Sequence, residues 1–139
     1  MKNRAARILA VGTALMALAA VYAQTRVMTA NVPFDFYAGS TLMPHGTYLV
    51  DATSDGAVAW IKPLQNKAGK PVLTVSVVGK DRTEPALIFH CIDQEYFLAQ
   101  IWAGNGTNGQ AIPASTREKE LTRSGATQSL AVIRLLINR

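Results

Sequence analysis

The chain has 139 residues, 49% of them apolar, and 14 Lys and Arg against 9 Asp and Glu give a formal net charge of +5. Three of the basic residues, Lys2, Arg4 and Arg7, stand at the very start; without them the charge falls to +2 and the rest is scattered, which removes the electrostatic case for nucleic-acid binding. With Cys91 as the single cysteine, no intramolecular disulfide can form.

The basic start is followed by an uncharged run from Ile8 to Ala20 and by Val21-Tyr22-Ala23, which places a small residue before Gln24. This pattern predicts a secretory signal peptide over residues 1–23 and a single β-rich domain over residues 24–139. The competing reading is a retained anchor, but the uncharged stretch Ile8 to Thr25 is 18 residues at most, at the short limit for a spanning helix.

Asn31 to Asp51 reads as strand, loop, strand. Val32, Phe34 and Phe36 alternate with Pro33, Asp35 and Tyr37, which puts three large apolar side chains on one face. Pro33 donates no backbone hydrogen bond and suggests a sheet edge or a bulge. Pro44-His45-Gly46 reads as a tight turn, and Tyr48 and Val50 share a face of the returning strand. Ser54-Asp55-Gly56 signals another turn. Ala57–Lys62 is a short strand ended by Pro63, and Gln65–Lys70 is a polar connection. Val72–Val78, β-branched almost throughout, is the strongest strand by composition. Gly79–Pro85 is a charged loop. Ala86–Ile92 and Tyr96–Trp102 form a strand pair joined at Asp93-Gln94-Glu95, and the second of them is apolar on both faces. Gly104–Gly109 is a loop. Ser115-Thr116-Arg117-Glu118 fits a capping box, with Glu118 reaching back to the helix start, and predicts one short helix near 116–123 stopped by Gly125. Leu130–Ile137 fits either a strand or a helix, and its β-branched residues favour a strand. The expected fold is therefore mainly β: a single antiparallel sandwich or barrel of about six or seven strands with that one helix. No alternation of strands with helices points to a parallel sheet.

Taken in order, Val32-Pro-Phe-Asp-Phe36, Leu42-x-Pro-x-Gly46-x-Tyr48-x-Val50, Phe89-His90, Tyr96-Phe-Leu98, Trp102 and Ile112-Pro113-x-Ser115-x-x-Glu118-x-Glu120-Leu121 resemble a group of small exported, uncharacterised bacterial proteins common in acidobacterial-type genomes. The resemblance covers most of residues 30–121. It implies export and a β-rich fold and implies no activity.

Several stretches raise chemistry and then fail to carry it. Gly104-Asn-Gly-Thr-Asn-Gly109 matches a dinucleotide fingerprint, but that reading needs a helix opening at once, and Pro113 follows four residues later. His90, Asp93 and Glu95 are close enough to suggest a metal, with His45 the only other histidine. On a strand, however, residues 90 and 92 share a face while 93 points away. Cys91 beside His90 is not a dyad, because adjacent strand residues face opposite ways, and its apolar run predicts a small buried hydrophobe. The aromatic residues fill a core or line a cavity, and a cavity bounded by Trp60, Tyr96 and Trp102 would mark a ligand carrier. No catalytic, cofactor-binding or metal-ligating residue is assigned. The expected function is an exported, non-enzymatic structural or interaction module of the bacterial envelope, periplasmic or extracellular. Its partner would be another envelope protein or a polysaccharide, with no nucleic acid and no stable membrane span after signal cleavage. The alternative is a small β-barrel carrier of an apolar ligand. Intact-mass measurement of the exported protein should place Gln24 at its first position; a mature chain still starting at Met1 would refute the cleavage.

Overall fold

The computed structural model describes residues 26–52, 56–65, 68–104 and 106–137, so the signal peptide expected over residues 1–23 and the Ser54-Asp55 part of the second turn signal lie outside the described residues. Strand β1 (Arg26–Val32) buries Met28, Ala30 and Val32 on one face. It does not continue to Phe36. At Pro33, which has no N–H to extend the ladder, the chain leaves β1 and forms a small hairpin, β2 (Phe36–Ala38) and β3 (Thr41–Met43). The tight turn of this stretch lies between them, with Gly39 at φ +63°, a left-handed conformation suited to glycine. It is not at Pro44–Gly46, as the proline had suggested. The chain then re-enters as β4 (Gly46–Ala52), which pairs antiparallel with all of β1, from Arg26 opposite Ala52 to Val32 opposite Gly46.

Strand β5 (Val58–Pro63) follows β4, and β6 (Lys70–Leu73) follows β5. The run expected as one strand over 72–78 is broken at Thr74. Beyond it, β7 (Val75–Arg82) belongs to the other end of the sheet, where it pairs with β10 (Gly106–Ala111). Thr74 spans the gap. Its N–H donates to Ala57 O at 2.9 Å, its Oγ1 donates to Gly56 O at 2.6 Å, and the same hydroxyl lies 3.4 Å from Gln110 Oε1 on β10. β10 itself corrects the loop expected over Gly104–Gly109. Its glycines read as a linker, yet the bare faces of Gly109 and Gly79 admit the indole of Trp102; a Cβ would come within 2.7 Å of the ring at Gly109 and 2.6 Å at Gly79.

Strands β8 (Ala86–Ile92) and β9 (Glu95–Trp102) form the expected antiparallel pair. Their turn holds Asp93 and Gln94 at φ 51° and 65°, the geometry that matches the strand twist in a two-residue hairpin. The register slips between Ile88 and Phe89, so β9 carries one extra residue there. Helix α1 (Thr116–Arg123) is capped by Ser115, whose Oγ accepts from the Glu118 N–H at 3.2 Å. Strand β11 (Gln128–Ile137) is indeed a strand, inserted between β8 and β1.

The sheet runs β3-β2-β9-β8-β11-β1-β4-β5-β6, with β10 and β7 continuing beyond the second half of β9, and it curls into an open half-barrel. Among the described residues it has eleven strands rather than about six or seven, because β2 and β3 are too short to show a period, β1 and β2 are separate, β6 and β7 divide at Thr74, and β10 owes its place to pairing rather than composition. The pairing is antiparallel throughout except for the short contact of β2 with β9. Phe36, Tyr48, Val50, Ile61, Leu87, Phe89 and Ile101 lie inside the curl, each 2% exposed or less. The other face of β8 and β9 is buried too, through Ile88, Ile92 and Phe97, as the two-sided apolar pattern of β9 required. The outer face of β11 leaves Leu130, Val132 and Leu136 exposed. Among the described residues no helix is long and apolar enough to cross a membrane.

Thr74 is 8% exposed, so Thr74→Ala removes the hydroxyl from a buried seam. The expected loss is about 1–3 kcal/mol, the cost of leaving a buried polar partner unsatisfied. It is read from the urea midpoint, and an unchanged midpoint would mean the seam does not depend on this hydroxyl.

Candidate functional site

The residues singled out for chemistry fall into separate settings. Those nearest to one another lie where α1 meets the end of β8. His90 projects from β8 toward the helix, and its Nδ1 lies 2.7 Å from Glu118 Oε1, with side chains 29% and 11% exposed. Glu118 therefore does not complete the capping box with its carboxylate. The backbone half of the box is present, and the carboxylate instead ties the helix to the sheet. One residue row away, Glu95 receives Arg117 in a bidentate contact at 3.0 to 3.3 Å, which raises the Arg117 pKa. Asp93 sits exposed in the hairpin turn. His90, Asp93 and Glu95 thus do not converge: two of them face the helix with partners of opposite charge or complementary polarity, and the third faces solvent. Among the described residues no group of three or more His, Cys, Asp or Glu side chains is placed to hold a metal. Beside the His90–Glu118 pair runs an open, mostly apolar groove of about 320 Å³, bordered by Ala114, Lys119, Thr122, Arg123 and Gln128.

The second polar unit is Asp35 with His45. Asp35 Oδ1 accepts from the His45 N–H at 2.8 Å and lies 3.0 Å from His45 Nδ1. The backbone hydrogen bond, then the side-chain one, holds the Asp35 carboxyl below its ordinary value of 3.8. This contact pins the segment after β3, and the Tyr48 hydroxyl donates to Pro44 O in the same segment. Burial, reinforced by the charge of Asp35, raises the Tyr48 pKa.

Between these units lies a set of stacked rings. Phe34 stacks on Tyr96 with centroids 3.8 Å apart and meets Phe89 edge-on at 5.0 Å. Phe36 meets both Tyr48 and Phe89 edge-on at 5.3 Å. Cys91, opposite Tyr96 on the neighbouring strand, is half-buried rather than fully buried. Its charge and a side-chain hydrogen bond raise the Tyr96 pKa. The three aromatics that would have marked a carrier cavity do not meet. Tyr96 is stacked on Phe34, Trp102 packs on Gly79 and Gly109, and Trp60 is 37% exposed on the outer face of β5, with Lys62 Nζ 5.8 Å from its ring centroid. The G-x-G-x-x-G stretch ends in β10 rather than in a helix, so no helix N-terminus faces it.

Sequence reasoning missed the His90–Glu118 link, because the helix reaches β8 only through a docking that no local signal encodes. The histidine's position on the face of β8 opposite Phe89 was the available hint. Compared with known proteins, the chain matches no family model, no curated protein and no solved structure.

Asp35 gives a titration with a definite sign. Its folded pKa lies below the unfolded one, so its contribution to stability is present above pH 3.8 and is lost as the pH falls through the lower folded value. Carboxyl NMR titration should find Asp35 below the ordinary aspartate range. The shift should shrink in His45→Ala, which removes the imidazole and keeps the backbone N–H, and a normal Asp35 value in the unaltered chain would contradict the contact.

Proposed function

We propose that the protein is an exported, non-enzymatic module of the bacterial cell envelope, periplasmic or extracellular, that binds another envelope protein or a polysaccharide through its loops and open strand edges. The observation that carries this reading is the occupation of its polar residues. Asp35 holds the segment before β4, Ser115 caps α1, Glu118 and His90 fix the helix to the sheet, and Glu95 and Arg117 repeat that tie at the surface. These groups have structural partners and do not converge on a common point where a substrate atom could sit. The interior is filled by rings packed edge to face, which supports a module over a carrier. The basic, uncharged and small-residue succession at residues 1–23 supports export, as does the resemblance of the ordered pattern from Val32 to Leu121 to small exported bacterial proteins.

A thermal-shift screen with zinc, calcium, fatty acids and oligosaccharides tests the reading, because a ligand at 100 times its Kd stabilises the folded state by about 2.7 kcal/mol. The expected result is no shift with metals or fatty acids, and either a shift with an oligosaccharide or specific capture of an envelope protein. A clear shift with a fatty acid would replace the module by the carrier, and one with zinc would place a metal at His90.

A further inference from the structure

The groove between α1 and the end of β8 carries a charge that the packing around it does not use. Its wall is settled. Glu118, 8% exposed, gives its carboxylate to His90, and the Thr122 hydroxyl donates to Glu118 O at 2.9 Å. Its rim is not. Lys119 and Arg123 stand one turn apart on the same side of α1, and both are exposed. The acids nearest the sheet side of the helix are taken: Glu118 by His90, and Glu95 by Arg117. Glu120 is on the helix but does not border the groove. Arg117 and Arg134 each have an acidic partner, whereas among the described residues neither Lys119 nor Arg123 forms an ion pair. The result is an open, mostly apolar recess of about 320 Å³ beneath two cations. That volume lies at the lower end of small-ligand sites, roughly 300–1,000 Å³.

We propose that this groove binds an acidic polysaccharide, with the carboxylates of its uronic acid residues on Lys119 and Arg123. The charge selects an anion. The planar guanidinium of Arg123 matches a carboxylate with two parallel donors, and Lys119 supplies a mobile point charge beside it. The apolar floor selects a sugar ring, which presents C–H groups on its face and polar groups around its edge. A peptide strand finds less to hold. At His90 β8 is paired on both sides, with Leu130 and with Phe97, so it offers no free edge for strand addition. The inference rests on the polysaccharide reading above and gives it a site and a charge class.

The test is titration calorimetry of the purified protein at low salt with an oligogalacturonate. A neutral dextran oligomer and phosphatidylglycerol vesicles serve as comparisons. The oligogalacturonate should bind, and the other two should not. Lys119→Gln and Arg123→Gln should each weaken binding by about tenfold, through loss of one charge-assisted contact. Glutamine keeps the helix propensity at both exposed positions, so circular dichroism should be unchanged. Lys80→Gln makes the same charge change on the exposed part of β7 and should leave the affinity unaltered. No binding of oligogalacturonate overturns the proposal. So does a loss in Lys80→Gln equal to that in Lys119→Gln, which would mark diffuse attraction rather than a site. Binding of dextran alone, or capture of an envelope protein alone, overturns the acidic site and leaves the broader reading standing. Vesicle binding that Lys119→Gln abolishes, without oligogalacturonate binding, overturns it in favour of a lipid surface.

Discussion

The fold depends on one ring. Phe36 stands on a three-residue strand, too short to be stable alone, and its side chain reaches Tyr48 on β4 and Phe89 on β8. Those two residues belong to opposite halves of the curled sheet, so Phe36 fixes how far the curl closes. Burying a phenylalanine contributes about 1.5–3 kcal/mol, and the edge-on pairs add about 0.5–1.5 kcal/mol each. Phe34, two residues earlier and partly buried, stacks on Tyr96 and meets Phe89 edge-on, both on the β8–β9 side of the sheet. The excursion of the chain at Pro33, away from β1 and back into β4, exists to deliver these rings to the interior. Asp35 lies between them and points the other way, where its carboxylate gathers the returning segment through His45.

The polar contacts follow from the apolar ones. Once Ile88, Ile92 and Phe97 turn an apolar face outward, something must cover it, and α1 packs against β8 on that side. His90 shares the face, and a half-buried imidazole needs a partner. Glu118, on the buried side of the helix, supplies one. Its carboxylate meets two competing demands, the N-cap backbone and the histidine, and the histidine prevails.

Much of this was legible in the residues. Apolar runs either side of a short polar connection located β8 and β9, the apolar character of both faces of β9 announced a strand covered twice, Ser115 marked the start of α1 to the residue, and β-branched residues distinguished β11 as a strand. What escaped was set by distant neighbours. Gly106–Ala111 has the composition of a linker and becomes a strand because β7 and β9 flank it and a tryptophan needs its bare face. The break at Thr74 sits inside a run of excellent strand formers and is visible only when both ends of the sheet are in place. Trp60 looks like core material, yet Ala59 and Ile61 take the inward positions and leave it outside. The candidate site fared likewise: strand alternation set His90 apart from Asp93, but the partner of His90 lies 28 residues away.

The position of β11 governs how such a chain comes to be folded. Residues 128–137 sit in the middle of the sheet, bonded on one side to β8 and on the other to β1, where Met28 faces Ile137 across more than a hundred residues of sequence. Until that segment is available, β1-β4-β5-β6 and the strands around β8 and β9 are two separate pieces, each with an open edge where β11 belongs. Pairings of such long separation form slowly. The sheet therefore stays incomplete while the chain is being synthesised, and the risk of misassociation is concentrated in the interval before its central strand arrives.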